Sequence, residues 1–362
     1  MSEIIRIGMD TSKNFFQLHG VDAEEKAVLR KTLRRGQMLA FFEKLAPIAI
    51  GMEACGASHH WARKLAAMGH TVKLMPPQLV KPYIRRNKND PRDAEGVCEA
   101  MSRPTMRFVP VKTQEQQADL MVMGQRDQLT ARRTEIANRI RGWASEFGVT
   151  APCGLANIKG PLGEIAARSD IPETARWAIE ECAAEYDYVC AALNKTEARL
   201  KAWRRENELA RRLAQIPSVG PVGAALLTMK IADPRLFSRG RDLAAWAGLT
   251  PKDHSTANKR RIGAITRAGD EQLRAVLVAG ASSLLQAAKR RIAQGWPVGA
   301  WIAALLARKA FKEAAVALAN KVIRIAWKLM VSGEHFDPAR AVAMMATPPR
   351  PAKSHEAEAA AA

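Results

Sequence analysis

The sequence predicts an α/β domain at the amino-terminal end followed by a mainly α remainder. Three observations carry that expectation. Short apolar runs alternate with helical patterns up to about residue 110, then proline-free stretches rich in Gln, Arg, Glu and Leu run far longer than any strand, and helical patterns continue to about residue 331. With 362 residues, 48% of them hydrophobic, the chain is long enough for two or three cores.

Within residues 1–110, strands are expected at 4–9, 14–20, 26–32, 47–52 and 71–75, and helices near 36–45, 57–68 and 90–102. Ile4, Ile5, Ile7 and Met9 alternate well enough for a strand, which Asp10 closes before the turn-forming pair Thr11-Ser12. The run Ile48-Ala49-Ile50-Gly51-Met52 is too brief for a helix, and Glu53 closes it. Three strands in succession before any helix fit an RNase-H-like sheet better than a doubly wound nucleotide fold. No G-x-G-x-x-G and no Walker lysine follows the first strand, which removes the main nucleotide-binding alternative.

Residues 111–214 are expected to form a long helical arm. Leu120, Met123, Leu129, Ile136, Ile140 and Trp143 stripe a helix from Thr113 to about Phe147, and a second helical stretch runs from Glu173 to Leu213. The Pro/Gly-containing segment 148–171 between them makes an antiparallel hairpin or coiled coil the natural arrangement. Arg126, Arg132, Arg133, Arg139 and Arg141 load the first helix with positive charge, as a solvated face or as the lining of a nucleic-acid groove.

Residues 215–335 open on Ile216-Pro217-Ser218-Val219-Gly220-Pro221-Val222-Gly223 and an apolar helix. This is either a helix-hairpin-helix element, in which Gly220 and Gly223 admit a phosphate to main-chain N–H groups, or a plain tight turn between packed helices. Farther on, the polar loop Lys252 to Arg261 carries His254-Ser255-Thr256 beside Lys259, Arg260 and Arg261. Basic side chains hold a phosphate and favour an alkoxide, so Ser255 is a candidate nucleophile; the alternative is an ordinary turn serine. The Pro-rich, then Ala/Glu-rich end places a disordered tail at 336–362.

Four acidic residues stand out, in Gly8-Met9-Asp10, Gly51-Met52-Glu53 and Asn89-Asp90-Pro91-Arg92-Asp93. Asp90 and Asp93 begin a helix and share one face, with Cβ atoms roughly 5–6 Å apart. Two strand ends and a helix face can therefore converge where an RNase-H-like nuclease places its metal ligands. Mg²⁺ takes such oxygen ligands, with Mn²⁺ as the alternative, and two ions about 3.5–4 Å apart clamp the attacking and leaving oxygens of a phosphodiester. Taken singly, the same residues are also ordinary turn, cap and surface charges.

The balance of 56 Lys plus Arg against 36 Asp plus Glu, +20 in net charge, points to a polyanionic partner, nucleic acid first. No apolar run approaches the roughly 20 residues that span a bilayer, and Met1-Ser2-Glu3 opens no signal peptide, so no membrane partner and a cytoplasmic location are expected. Five scattered cysteines without a C-x-x-C pair are expected to be reduced thiols. His59 and His60 are adjacent on a helix and point to different sides, which favours packing or hydrogen bonding over metal ligation.

Together with Glu53-Ala54-Cys55-Gly56-Ala57-Ser58-His59-His60-Trp61-Ala62-Arg63 and Gly248-Leu249-Thr250-Pro251, these acidic stretches resemble the DEDD transposases of the IS110 family, particularly its IS1111 group. The likeness spans about residues 5–335. It implies a RuvC-like amino-terminal domain, a coiled-coil arm and a carboxy-terminal transposase domain that supplies a serine. It also implies a Mg²⁺-dependent recombinase acting on donor and target DNA, guided by a noncoding bridge RNA and assembled as a homo-oligomer, dimer or tetramer. Residue by residue, Asp10, Glu53, Asp90 and Asp93 match the metal-binding tetrad and Ser255 the nucleophile. Where the family commonly has Gly-Gly after His-Ser-Thr, this chain has Ala257-Asn258, which narrows the loop's backbone options and leaves Thr256 as a substitute. A Holliday-junction-type nuclease in which water attacks, and a non-catalytic nucleic-acid-binding protein, are the alternatives.

Overall fold

The computed structural model describes residues 3–84, 90–256, 259, 261–292, 299–337 and 339, with side chains described at all of these except 90, 289–292 and 299–300. The chain divides into two compact units, residues 1–118 and 119–362.

In the first unit, β1 (Arg6–Thr11), β2 (Phe15–Val21) and β3 (Ala27–Arg34) form an antiparallel meander. Its turns are fixed locally. Ser12 Oγ donates to the Phe15 carbonyl at 2.7 Å, and the Asp22 carboxylate accepts the Glu24 and Lys26 main-chain N–H groups at 3.1 and 2.9 Å. After α1 (Met38–Phe42) come β4 (Ala49–Glu53), α2 (Ser58–Ala67), β5 (Thr71–Met75), α3 (Pro77–Val80) and α4 (Asp90–Ala100). The sheet order is β3-β2-β1-β4-β5, with β4 parallel to both β1 and β5, so the expected meander followed by alternating strands and helices forms one RNase-H-like sheet. Strand alternation sends Ile7, Met9, Phe16, Leu18, Ile50 and Met52 to one face. There they bury against Phe42, Trp61 and Leu65 of α1 and α2. The opposite face receives α4, which packs on β1, β2 and β4.

One boundary differs in a way that matters. Asp10 was expected to follow the first strand, but pairing of Asp10 with Gln17 and of Thr11 with Phe16 extends β1 past it. Asp10 is thus held in the sheet rather than in a turn.

α5 (Gln114–Ser145) leads into the second unit, where α6 (Lys159–Ala167) and α7 (Glu173–Glu206) follow. α5 and α7 run antiparallel: Arg126 pairs with Glu197, Arg132 with Glu185, and Ile136, Ala137 and Ile140 bury with Cys182 and Val189. The expected continuous helix from 173 to 213 is broken at Asn207. That residue is extended, with φ −89° and ψ 111°, and its side chain accepts the Ala210 N–H at 2.9 Å to start α8 (Glu208–Leu213).

α9 (Pro221–Lys230), α10 (Gly240–Trp246), the short strands β6 (Pro251–Asp253) and β7 (Ile262–Ile265), α11 (Glu271–Ile292), α12 (Gly299–Arg308) and α13 (Phe311–Ser332) complete the unit. α8 to α13 share one core with Met123 and Leu200 of the long helices, so the arm and the carboxy-terminal helices lie within one compact unit. The tail expected at 336–362 falls outside the described residues except for 336, 337 and 339. None of the five cysteines is in a disulfide, and no described helix is long and apolar enough to cross a membrane.

Candidate active-site residues

Asp10 and Glu53 follow the last paired position of two neighbouring parallel strands, Met9 opposite Met52. Side chains two apart on a strand share a face, so Asp10 lies with Gly8, and Glu53 with Gly51. The two glycines identify that face. A Cβ on Gly8 would fall well inside contact distance of the Ala94 carbonyl and the Cys98 main-chain nitrogen of α4. One on Gly51 would lie 2.7 Å from Met101 Sδ. The α4 backbone therefore rests on Gly8, Gly51 makes room for the Met101 side chain just after α4, and Asp93, the residue before Ala94, is buried with 8% of its surface exposed. Asp10 and Glu53 are half-buried.

Three of the four expected carboxylates thus belong to one side of the sheet. For Asp90 only the backbone is described, as the first residue of α4. As a donor set, carboxylates alone suit a hard divalent cation. Among the described residues, no three His, Cys, Asp or Glu side chains already stand close enough together to hold one.

His59 of α2 is engaged elsewhere. The Lys112 main-chain N–H donates to its Nδ1 at 3.2 Å and the Lys112 ammonium lies 3.1 Å from Nε2. Burial first, then the charges of Lys112 and Arg63, push its pKa down to about 4. His60 instead meets Trp61 edge-on at 4.9 Å.

Ser255 lies on the strand side of the β6–β7 hairpin, between β6 and the Thr256–Lys259 bridge, and is exposed. Its Oγ accepts the Arg261 N–H at 3.0 Å, its own N–H donates to Asp253 Oδ1 at 2.9 Å, and the His254 N–H reaches the Arg261 carbonyl at 2.8 Å. Lys259 is exposed and bridges Thr256 through its main chain; Ala257, Asn258 and Arg260 lie outside the described residues.

The hairpin stands on a fixed base. Gly248 has φ +69°, and a Cβ there would lie 2.8 Å from the Ala268 nitrogen. Leu249 is buried, and Thr250 receives the Thr266 N–H at 2.8 Å. At the start of α11, the Lys230 ammonium pairs with Asp270 at 2.6 Å, while Asp270 also accepts the Leu273 N–H at 2.8 Å. Neither Asp270 nor Asp253 was singled out from the sequence. The signal for Asp253 was there, an acidic residue two positions before a loop serine, as an Asx-turn requires.

The other basic candidates divide. Arg126 pairs with Glu197 at 3.2 Å, Arg132 pairs with Glu135 at 2.9 Å and with Glu185, and Arg133 Nε is buried without a hydrogen-bond partner. Gly220 is exposed at the start of α9, whereas Gly223 is buried against Val219 and Val276.

A family model described as Transposase IS116/IS110/IS902 family matches residues 210–296, and a transposase model of the DEDD, IS110 type matches residues 7–147. A candidate transposase of Sinorhizobium fredii, y4pF/y4sB, is 56% identical over 336 residues, 93% of this chain and 86% of that protein. The chain belongs to the IS110 family of transposases. Within that family, the transposase for insertion sequence element IS1111A of Coxiella burnetii is 36% identical over 93% of this chain and 92% of its own length. The transposase for element IS1328 of Yersinia enterocolitica is 35% identical over 93% of this chain and 99% of its own.

Proposed function

We propose that this IS110-family transposase cuts and rejoins DNA strands of its insertion sequence with Asp10, Glu53, Asp90 and Asp93 as divalent-ion ligands, Mg²⁺ first, and Ser255 as the nucleophile. One observation carries the cation part: Gly8 with Asp10 and Gly51 with Glu53 repeat one step on adjacent strands, on the side where α4 brings Asp93. When bound, the ion would polarise a phosphodiester oxygen and offset the charge that grows there.

Ser255 Oγ bonds to phosphorus, the bond from phosphorus to the 3′ oxygen breaks, and the serine proton ends on the departing 3′ hydroxyl. A 3′ hydroxyl of the exchanged strand then attacks the same phosphorus and returns the proton to Ser255. Support for the serine comes from the Arg261 N–H on its Oγ, which favours negative charge there, and from its exposure beside Lys259 and Arg261.

Arg126, Arg132, Arg133, Gly220, Lys259, Arg260 and Arg261 are the nucleic-acid contacts of this reading, whereas Gly223, buried against Val219 and Val276, serves packing at the start of α9 instead. Lys259, Arg261 and Gly220 are foremost because they are exposed. The net charge of +20 suits donor and target DNA and a guiding noncoding bridge RNA, and the working form is a homo-oligomer.

Strand cleavage of the element's ends, measured beside a gel shift, tests the assignment. Ser255→Ala and Asp10→Asn should each lose about 10²-fold or more in cleavage, the scale of one lost electrostatic contact, and keep DNA binding. Cleavage by Ser255→Ala at the parental rate would mean that water attacks instead. Sequencing of co-purified nucleic acid tests the guide: one defined noncoding RNA supports it, and random cellular RNA opposes it.

A further inference from the structure

The sheet face that carries Asp10 continues beyond α4. Opposite Asp10 in register stands Gln17 of β2, and opposite Gln17 stands Thr32 of β3. The Thr32 hydroxyl donates to Gln17 Oε1 at 2.7 Å, which leaves the Gln17 amide NH₂ to present as a donor. One step toward the β1–β2 turn, Phe15 faces Arg34, and one step the other way Arg30 pairs with His19. Phe15 is 48% exposed, and Arg30, Thr32 and Arg34 are exposed as well. An aromatic ring, two guanidinium groups and two hydrogen-bonding side chains therefore share one open face with a catalytic candidate.

We infer that this face is the track for the DNA strand leading to the scissile phosphate. Phe15 stacks on a base, Arg34 and Arg30 hold phosphates, and Gln17 with Thr32 hydrogen-bonds the backbone. The assignment rests on Asp10 as a cation ligand, as proposed above. Two observations favour a nucleic-acid strand as occupant: the face is positively charged at its far edge, and it is continuous in register with Asp10. Two strand spacings, about 10 Å, separate Asp10 from Thr32. At ~3.4 Å per nucleotide step, the contacts fall within about three nucleotides of the cut. Arginines on an edge strand also keep sheets from associating, but that role needs charge alone and gives Phe15 no part.

The test uses the full chain and a fluorescent single-stranded DNA carrying the element end, with abasic sites introduced one at a time. Phe15→Ala should weaken binding about tenfold, Phe15→Trp should restore it, and Arg34→Ala should lower the slope of log affinity against log salt by about 1. For the parent protein, one abasic site within about three nucleotides of the cut should cost as much as Phe15→Ala, and that variant should be indifferent to it. Thermal melts matching the parent's establish that the exposed-residue variants are folded. If Phe15→Ala and Arg34→Ala bind within twofold of the parent while Asp10→Asn abolishes cleavage, the track is overturned and the carboxylate reading stands. If these variants lose affinity for an RNA strand only, the DNA assignment is overturned. Cleavage by Asp10→Asn at the parental rate would instead remove the cation reading on which the track rests.

Discussion

Gly8 is the residue on which the carboxylate edge most plainly depends. Its missing Cβ lets the main chain of α4 rest directly on β1, two positions from Asp10. Gly8→Ala has backbone rather than a flexible side chain to push against, so it should cost about 1–3 kcal/mol, read from the urea midpoint. Gly36→Ala is the control, since nothing lies within 4 Å of the added carbon, and it should stay within about 0.5 kcal/mol. His59 gives a second residue-scale expectation. Its pKa falls from 6.5 to about 4 on folding, so the folded protein favours the neutral ring. The stabilisation is present above pH 6.5 and is lost as pH falls from there through about 4, because the unfolded chain takes up the proton first. A pH series of denaturation midpoints should show that decline, and His59→Gln should flatten it.

Among the elements, α11 depends on the residue that opens it. Asp270 neutralises Lys230 and caps α11, so Asp270→Ala removes an ion pair and a cap together and should cost about 1.5–3 kcal/mol in chemical denaturation. Between α5 and α7, apolar packing outweighs the ion pairs. Ile140→Ala should cost about 2–5 kcal/mol, whereas Glu197→Ala, which removes a half-exposed partner of Arg126 and leaves it the neighbouring Asp127, should cost under about 1 kcal/mol. The same contrast explains what the sequence made legible. β1, β2 and β4 and the long helices were readable because they bury apolar side chains at recurring positions, whereas β3, which buries only Leu33, was readable from its place after β2. β6 and β7 were not, because strands of three and four residues with almost every side chain exposed leave no period to read. The break at Asn207 was hidden by helical patterns on both sides, although Asn is a residue that caps helices. Asp10, Glu53 and Asp93 stood out by closing apolar runs or opening a helix, but the purpose of Gly8 became visible only with α4 in place, and that of Gly51 only with the Met101 side chain after it. The pairing of Arg126 and Arg132 with glutamates of α7 was likewise beyond local pattern, since the partners are far along the chain.

At the scale of the whole molecule, a net charge of +20 makes binding to nucleic acid a matter of counterion release. Affinity for DNA should fall linearly in log units with log salt, and chelation of divalent ions should stop cleavage while a gel shift at constant ionic strength persists. The chemistry itself is tested most directly by trapping the reaction on a nicked element end, from which the leaving strand cannot rejoin, and locating the attached nucleotide by peptide mass spectrometry. The expected result is a phosphodiester on Ser255, absent from Ser255→Ala and from Asp10→Asn although both still bind the DNA. Attachment at another residue, or cleavage at the parental rate by Ser255→Ala with no attachment anywhere, would contradict it.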